Sequence, residues 1–319
     1  MRTFVTGGSG FLGSAVVRAL RDRDHEVVAV VRPSSDRRLL DELPGVEVVV
    51  AELTDRAALR EHMRGCEGMC HVAGAAGRFY RARDEYRRSN ELVSEVVFAA
   101  AREAGIGRAV YTGTVAMVVG LDNAYAHSKL AGAYAARREA GSDMEVVAVH
   151  PSGMIGPRDA KPTPLGRAIA LFAAGGQRAV VGGGSGYLHV DDAGLAHAIA
   201  LERGEPTRDY LLDAEYWSTR ALFGRLAEVV GRPAPWVIPI GVASGLASVV
   251  EPAWRALGRL PPITTFTTSY LGLSREVFVG GDEARRALAL PAYRTVESAL
   301  DDALRWFRDA GLDRAALAR

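Results

Sequence analysis

Lysine is nearly absent from this chain. Among 39 lysines and arginines only Lys129 and Lys161 are lysine. Where a generic positive charge suffices the chain uses arginine, so a retained lysine points to chemistry that a guanidinium does not supply. Cysteine is as scarce: Cys66 and Cys70 fit neither the CxxC redox motif nor a zinc-ligand spacing, and no metal site is expected. Charge of one sign is also lacking. A net charge of +1 argues against nucleic acid or an anionic membrane surface as partner. The most apolar late stretch, Val237 to Val250, is too short to span a bilayer and is interrupted by Pro239, glycines and serines. A strand that begins at residue 2 leaves no room for an N-terminal signal, so a soluble, cytoplasmic protein without membrane contact is expected. Repeats and low-complexity tracts are missing too.

What is present starts at the first residue. In MRTFVTGGSGFLG, Arg2 to Thr6 reads as a short buried strand that stops at a glycine pair. Gly7, Gly10 and Gly13 follow at intervals of three, and Phe11 to Leu20 has helical periodicity. Strand, glycine turn and helix N-terminus together make an anion site, because the first-turn N–H groups and the helix dipole both favour a phosphate. Glycine is needed where backbone touches a pyrophosphate and where helix packs on strand. Gly8-x-Gly10-x-x-Gly13, placed after a strand, points to dinucleotide binding.

Further strands are expected at His25 to Val31, Glu47 to Val50, Gly68 to Val72 (running into Ala73-Gly74-Ala75-Ala76-Gly77), Arg108 to Thr112 and Glu145 to His150. Helices are expected near Asp55 to Met63, Asp84 to Ala104 and Asn123 to Ala140. Such alternation predicts an α/β fold: a Rossmann-type doubly wound parallel sheet with helices on both faces, ligands lying beyond the carboxyl ends of the strands. After Pro151 the texture changes. Pro151, Pro157, Pro162 and Pro164 break the chain and glycines crowd Gly175 to Gly186. The expected division is a nucleotide-binding domain over 1–150 and a smaller substrate-binding lobe over 151–319, with some segments returning to the first domain. In that lobe short strands are expected near Arg178 to Val181 and Gly186 to Val190, with helices at Asp192 to Glu202, Ser218 to Val230 and Thr295 to Asp309.

Tyr125 and Lys129 are four apart on an expected helix and share one face. A tyrosine has an ordinary pKa of about 10. A nearby ammonium favours the phenolate and lowers that value. A lysine amine can also bond ribose hydroxyls. Strand five ends in Tyr111-Thr112-Gly113-Thr114. A Thr114 hydroxyl there can hold a substrate carbonyl in place; Thr112 is the competing candidate. Arg32 ends the second strand, beside the expected adenosine ribose. An acidic residue there would bind the 2′-hydroxyl of NAD, whereas an arginine accommodates the 2′-phosphate of NADP. NADP(H) is therefore favoured and NAD(H) stays open, since Asp36 can reach the ribose from a shifted loop. Ser34, Ser35 and Arg37 could add donors.

Thr6-Gly7-x-x-Gly10-Phe11-x-Gly13, Tyr125-x-x-x-Lys129, Thr114 and Asn90 in YRRSNEL together resemble the extended short-chain dehydrogenase/reductase superfamily, of the NAD-dependent epimerase/dehydratase type. VRPSSDRRLL, HVAG, HPSGMIGPRDAKPTPLGR and LHVDDAGLAH look most like its dihydroflavonol-reductase-like and hopanoid-associated sugar epimerase groups. The resemblance implies Tyr125 as proton donor and acceptor, Lys129 as its support and ribose ligand, and Thr114 as the hydroxyl where relatives usually have Ser. It implies a nucleotide-contacting set of Gly7, Gly10, Phe11, Leu12, Gly13, Arg32, Glu52, Leu53, Ala73, Gly74, Tyr125, Lys129, Pro151 and Ser152. Thr114 and Tyr187 are expected toward substrate, with Arg158 as a further pocket residue; Lys161 looks like a family loop feature, and His189 is expected chiefly as a strand end before the Asp191/Asp192 helix cap, with a pocket role as the alternative. His127 is expected to face away from Tyr125. Homodimer pairing through the helices beginning at Asp84 and Asn123 is a further implication. His150 stands where relatives have Asn, and Glu52 where they have Asp. The segment VVGLDNAYAHSK shortens the loop that usually walls the pocket. The activity implied is hydride transfer between a nicotinamide and a small-molecule ketone or secondary alcohol. An NAD-dependent nucleotide-sugar epimerase or dehydratase is the alternative, and a non-redox isomerase or cyclase the third reading.

Overall fold

The computed structural model describes residues 1–75, 83–206, 208–257, 261, 263–273 and 281–311. The tail Ala76-Gly77 of the expected fourth-strand turn lies outside the described residues. By contacts the chain divides into two units.

The first unit comprises residues 1–151, 190–212 and 281–293. Its first half alternates as the hydrophobic pattern demands: β1 (Arg2–Thr6), α1 (Phe11–Arg21), β2 (Glu26–Val31), α2 (Arg38–Asp41), β3 (Val46–Val50), α3 (Arg56–His62) and β4 (Gly68–His71). Next come α4 (Arg83–Tyr86), a π-turn over Arg87–Leu92, α5 (Val93–Glu103), β5 (Arg108–Thr112), α6 (Val115–Val118), α7 (Ala124–Ala140) and β6 (Glu145–Pro151). The single helix expected over Asp84 to Ala104 is thus interrupted by a wider turn centred near Asn90. After β7 (Gly153–Ile155), α8 (Pro164–Ala173), β8 (Ala179–Val181) and β9 (Gly184–His189), the chain returns with α9 (Val190–Arg203) and β10 (Asp209–Leu212).

Seven strands form one parallel sheet in the order β10-β6-β5-β4-β1-β2-β3, the Rossmann-type doubly wound sheet expected. β2 and β6 read as near-continuous apolar runs, as expected of strands covered by helices on both faces. Phe4, Val28, Met69, Phe98 and Tyr111 pack in the core on one face; α9 packs along α1. Both cysteines are free and buried, and burial pushes the Cys70 thiol up to about 12.

The second unit takes β7, α8, β8 and β9, then β11 (Glu215–Ser218), α10 (Thr219–Val230), β12 (Trp236–Ile238), α11 (Ile240–Ala256), α12 (Thr265–Leu271) and, after α13 (Gly281–Ala287) of the first unit, α14 (Val296–Asp309). Pro164 does not break the chain. It occupies the first turn of α8, where its missing N–H costs nothing, and Thr163 caps that helix by accepting from Gly166. Ile155, Phe172, Tyr187, Phe223, Leu300 and Phe307 share this unit's core.

Candidate active site

The turn after β1 is built for close approach. Gly7 has φ +73°, and a Cβ on it would stand 2.7 Å from the backbone N of Ala73. Gly10 N–H donates to the Gly7 carbonyl at 2.9 Å, and Ser14 N–H to that of Gly10 at 2.9 Å. Gly10 caps α1 with no side chain and the first turn holds no acidic residue. The first-turn amides at Phe11, Leu12 and Gly13 therefore make a positive end that neither the cap nor the first turn neutralises. A Cβ on Gly13 would meet the backbone of Gly7 and Gly8, so glycine there lets α1 pack against the turn.

The next two strand ends differ in charge. Arg32, after β2, is exposed and donates its N–H to Ser35 Oγ at 3.2 Å. Asp36 is clamped by Arg38, with Nη2–Oδ2 at 2.7 Å, and Arg37 lies 3.3 Å from Asp41. Among the described residues no carboxylate pairs with Arg32. Glu52 is exposed and Leu53 half-buried after β3.

Behind the glycine turn runs a buried chain of hydrogen bonds. Ala73 N–H donates to Thr6 Oγ1 at 3.2 Å, and Thr6 Oγ1 is 2.8 Å from His71 Nδ1. His71 Nε2 is 3.1 Å from Ser94 Oγ, which donates to the carbonyl of Asn90. The last step fixes every donor. Ser94 gives its proton to the carbonyl, so His71 gives Nε2–H to Ser94 and accepts from Thr6 at Nδ1. Burial, with Lys129 nearby, lowers the His71 pKa to about 3 and keeps it neutral. Asn90 is 1% exposed. Its Oδ1 accepts from Ala75 N–H at 2.8 Å, and its Nδ2 donates to Ser128 Oγ at 2.9 Å.

Asn123 starts α7 by accepting from Ala126 N–H at 2.8 Å, which places Tyr125 and Lys129 on the same side of the helix. Ser128 lies between them and returns its proton to the Tyr125 carbonyl. Tyr125 is half-buried and its ring lies 5.9 Å from that of Tyr86. Enclosure pushes its pKa up to about 12, and a hydrogen bond with Thr114 pulls the other way. The lowering expected from Lys129 is not seen. The amine is itself buried and its pKa is lowered to about 8, and its Nζ donates to the Thr112 carbonyl at 2.9 Å. A Cβ on Gly74 would lie 2.8 Å from that Nζ, so the loop after β4 runs directly past the amine.

The two threonines of strand five separate cleanly. Thr112 turns its hydroxyl to His197, 3.0 Å away. Thr114 caps α6 through Ala116 N–H at 3.4 Å and meets Tyr125. The shortened loop is α6, one turn of helix. Tyr125, Lys129, Thr114, Asn90, Ala73 and Gly74 thus gather in the first unit with the glycine turn.

Other expected residues lie elsewhere. Pro151 ends β6, and Ser152, buried, meets Asp213 in the second unit. Burial pushes the Asp213 carboxyl up to about 7. Tyr187 is 3% exposed and packs in the apolar core of that unit. His189 is buried 3.3 Å from Asp302, and Lys161 is exposed. Arg158 is half-buried at φ +72°. His127 is exposed beside Asp122. Sequence reasoning quoted Thr6, His71, Ser128 and His197 only inside longer motifs, gave none of them a role, and passed over Ser94. Apart from Ser128, they meet the site through strand pairing and helix packing.

These features define a nicotinamide-nucleotide fold of the extended short-chain dehydrogenase/reductase class. The model of the NAD-dependent epimerase/dehydratase family matches residues 3–212, and the chain belongs to that family and is an NAD(P)-dependent enzyme acting on small molecules. It is 34% identical over 330 residues to a putative dihydroflavonol 4-reductase of Synechocystis, covering 97% of this chain and 95% of that one. It is 32% identical to the 4-hydroxy-2-methyl-3-oxo-4-farnesyl-3,4-dihydroquinoline-1-oxide ketoreductase of Stigmatella aurantiaca, covering 98% of each. The crystal structure of a nucleoside-diphosphate-sugar epimerase from Pseudomonas aeruginosa superposes with a TM-score of 0.80 at 27% identity, covering 98% of this chain and 99% of that one. Among the described residues no helix is long and apolar enough to cross a membrane.

Proposed function

We propose that this protein is an NADP(H)-dependent reductase of a small, largely apolar ketone, and that it oxidises the matching secondary alcohol in reverse. The single observation that carries the reading is the placement of Tyr125 and Lys129 four residues apart on α7, the phenol acted on by the Thr114 hydroxyl and the amine beside Gly74. When bound, the nicotinamide supplies or accepts the hydride. The chain's own residues do the rest. The glycine turn and the first turn of α1 hold the diphosphate, and Lys129 bonds the ribose hydroxyls and places positive charge near the phenol. Thr114 donates to the substrate oxygen and orients the carbonyl, and Tyr125, protonated at neutral pH with its pKa near 12, gives that oxygen its proton. Pro151 and Ser152 are assigned to the nicotinamide side. Arg32 is assigned to the 2′-phosphate, supported by the engagement of Asp36 with Arg38. The ketoreductase and dihydroflavonol-reductase names of the relatives favour a ketone of polyketide, flavonoid or terpenoid kind. The lobe over 151–319 is assigned to the substrate, the protein to the cytoplasm, and pairing to the helices of 84–104 and 124–140.

The test is NADPH consumption with a panel of apolar ketones. Tyr125→Phe is expected to lower kcat by about 10²–10⁴-fold while nucleotide affinity stays within a few-fold. Wild-type turnover by Tyr125→Phe defeats the assignment. The likeness to a nucleotide-sugar epimerase supports a second reading, in which NAD co-purifies and product forms with no net consumption of nucleotide. Extraction of the purified protein separates the two. Product formed without any nucleotide turnover would favour a non-redox isomerase.

A further inference from the structure

Lys129 donates to the backbone carbonyl of Thr112, and the hydroxyl of the same Thr112 meets Nε2 of His197. His197 Nδ1 lies 2.7 Å from the carbonyl of Ala193, one turn back on α9. A carbonyl only accepts, so Nδ1 carries the proton and Nε2 offers a lone pair; the Thr112 hydroxyl therefore donates to it. His197 is completely buried. Burial lowers its pKa to about 4, His150 and Lys129 act in the same sense, and the Ala193 bond opposes. A single neutral tautomer thus faces Thr112 across the physiological range. We propose that His197 is a positioning residue for Lys129: by accepting the Thr112 hydroxyl it fixes the end of β5, so that the Thr112 carbonyl stays aimed at the amine.

The inference rests on the role given to Lys129 above. The amine is faced by His71 from β4, Tyr111 from β5 with its ring 5.5 Å away, Asn90 from the π-turn and His197 from α9, with Tyr125 one turn back on its own helix. His150, from β6, faces His197 and lies 3.2 Å from Asp209, which is 2.7 Å from Arg137. Of the described groups named here none is charged at neutral pH, and the Thr112 carbonyl accepts the amine's hydrogen bond. α9 packs along α1, the helix that opens at the glycine turn, and His197 ties that pair to the amine.

Two lysines make the test direct. In protein carrying ¹³C at lysine Cε, Lys161→Arg leaves one signal, that of Lys129, whose titration is read without any turnover. His197→Leu and Thr112→Val are each expected to move its midpoint down by roughly one pH unit, the loss of part of a charge-assisted hydrogen bond. The double variant is expected to fall no further than either single one, and His197→Gln, which keeps an acceptor toward Thr112, to restore most of the shift. An unchanged midpoint in folded Thr112→Val or His197→Leu, or shifts that add, overturns the inference. Failure of the reductase reading instead leaves the titration shifts in place and shows as wild-type turnover in Tyr125→Phe, so the two failures are distinct.

Discussion

A Cβ on Gly13 would stand 1.9 Å from the carbonyl oxygen of Gly7. That is far inside contact distance, and backbone rather than a flexible side chain is what it meets. Gly13→Ala must therefore push α1 off the turn, at a cost of about 1–3 kcal/mol. It is expected to weaken nucleotide binding at least tenfold (~1.4 kcal/mol). Gly10→Ala, whose Cβ meets the Gly7 oxygen at 3.2 Å, serves as the milder comparison. Calorimetric titration with nucleotide and thermal melts check both; equal binding by Gly13→Ala and wild type would mean that the turn does not hold the diphosphate.

The Lys129 pKa near 8 sets a pH limb. Above it the amine loses its charge, and with it the positive field near Tyr125. In the reductive direction kcat/KM is expected to hold level below about 8 and fall above it. Lys129→Met should be slow throughout and lack that limb. A profile measured from pH 6 to 10 decides; a limb that survives in Lys129→Met belongs to another group.

Arg32 is exposed and has no carboxylate partner among the described residues, so its substitution should act on the ligand rather than on the fold. Arg32→Ala is expected to raise KM for NADPH by about 10–100-fold, the loss of a charge-assisted contact, with NADH changed less than about twofold. Parallel assays with both nucleotides show it; an equal effect on the two removes Arg32 from the 2′-phosphate.

Asp213 links stability to pH. Its folded pKa of about 7 lies above the unfolded value of about 3.9, so the folded form holds a proton that the unfolded form has released. The contribution is full below about pH 4 and is lost as pH rises through about 7, by at most about 1.4 kcal/mol per pH unit. Asp213→Asn keeps the shape without the charge. It should flatten that slope and be more stable than wild type at pH 8. Urea unfolding at pH 5, 6.5 and 8 measures the difference, and parallel curves for the two proteins would show that Asp213 ionises normally.

Much of the first unit was readable in advance because its information is local. A buried parallel strand is a short apolar run, and Val27 to Val31 needs no partner to be recognised as one. Tyr125 and Lys129 are neighbours by helical geometry alone. The distinction between Thr112 and Thr114 was not readable, since both stand at the end of one strand. His197, 85 residues beyond Thr112, decides it. β10 escaped notice for the same reason: DYLL gains its meaning only by pairing with Ala148–Pro151 of β6. Asn90 could be named from YRRSNEL, but the π-turn that turns its carbonyl to Ser94 has no pattern of its own.

The order of residues, by itself, determined the nucleotide turn, the alternation that makes a parallel sheet, and the spacing that sets a phenol one turn from an amine. These follow from backbone sterics and from periods of two and 3.6 residues, which act over a few positions. The tertiary structure alone decided the state of those groups: a phenol raised to about 12, an amine lowered to about 8, and a Thr112 hydroxyl turned to His197. Such properties depend on which distant side chains exclude water and offer their hydrogen bonds, and burial is a property of packing, not of neighbours along the chain.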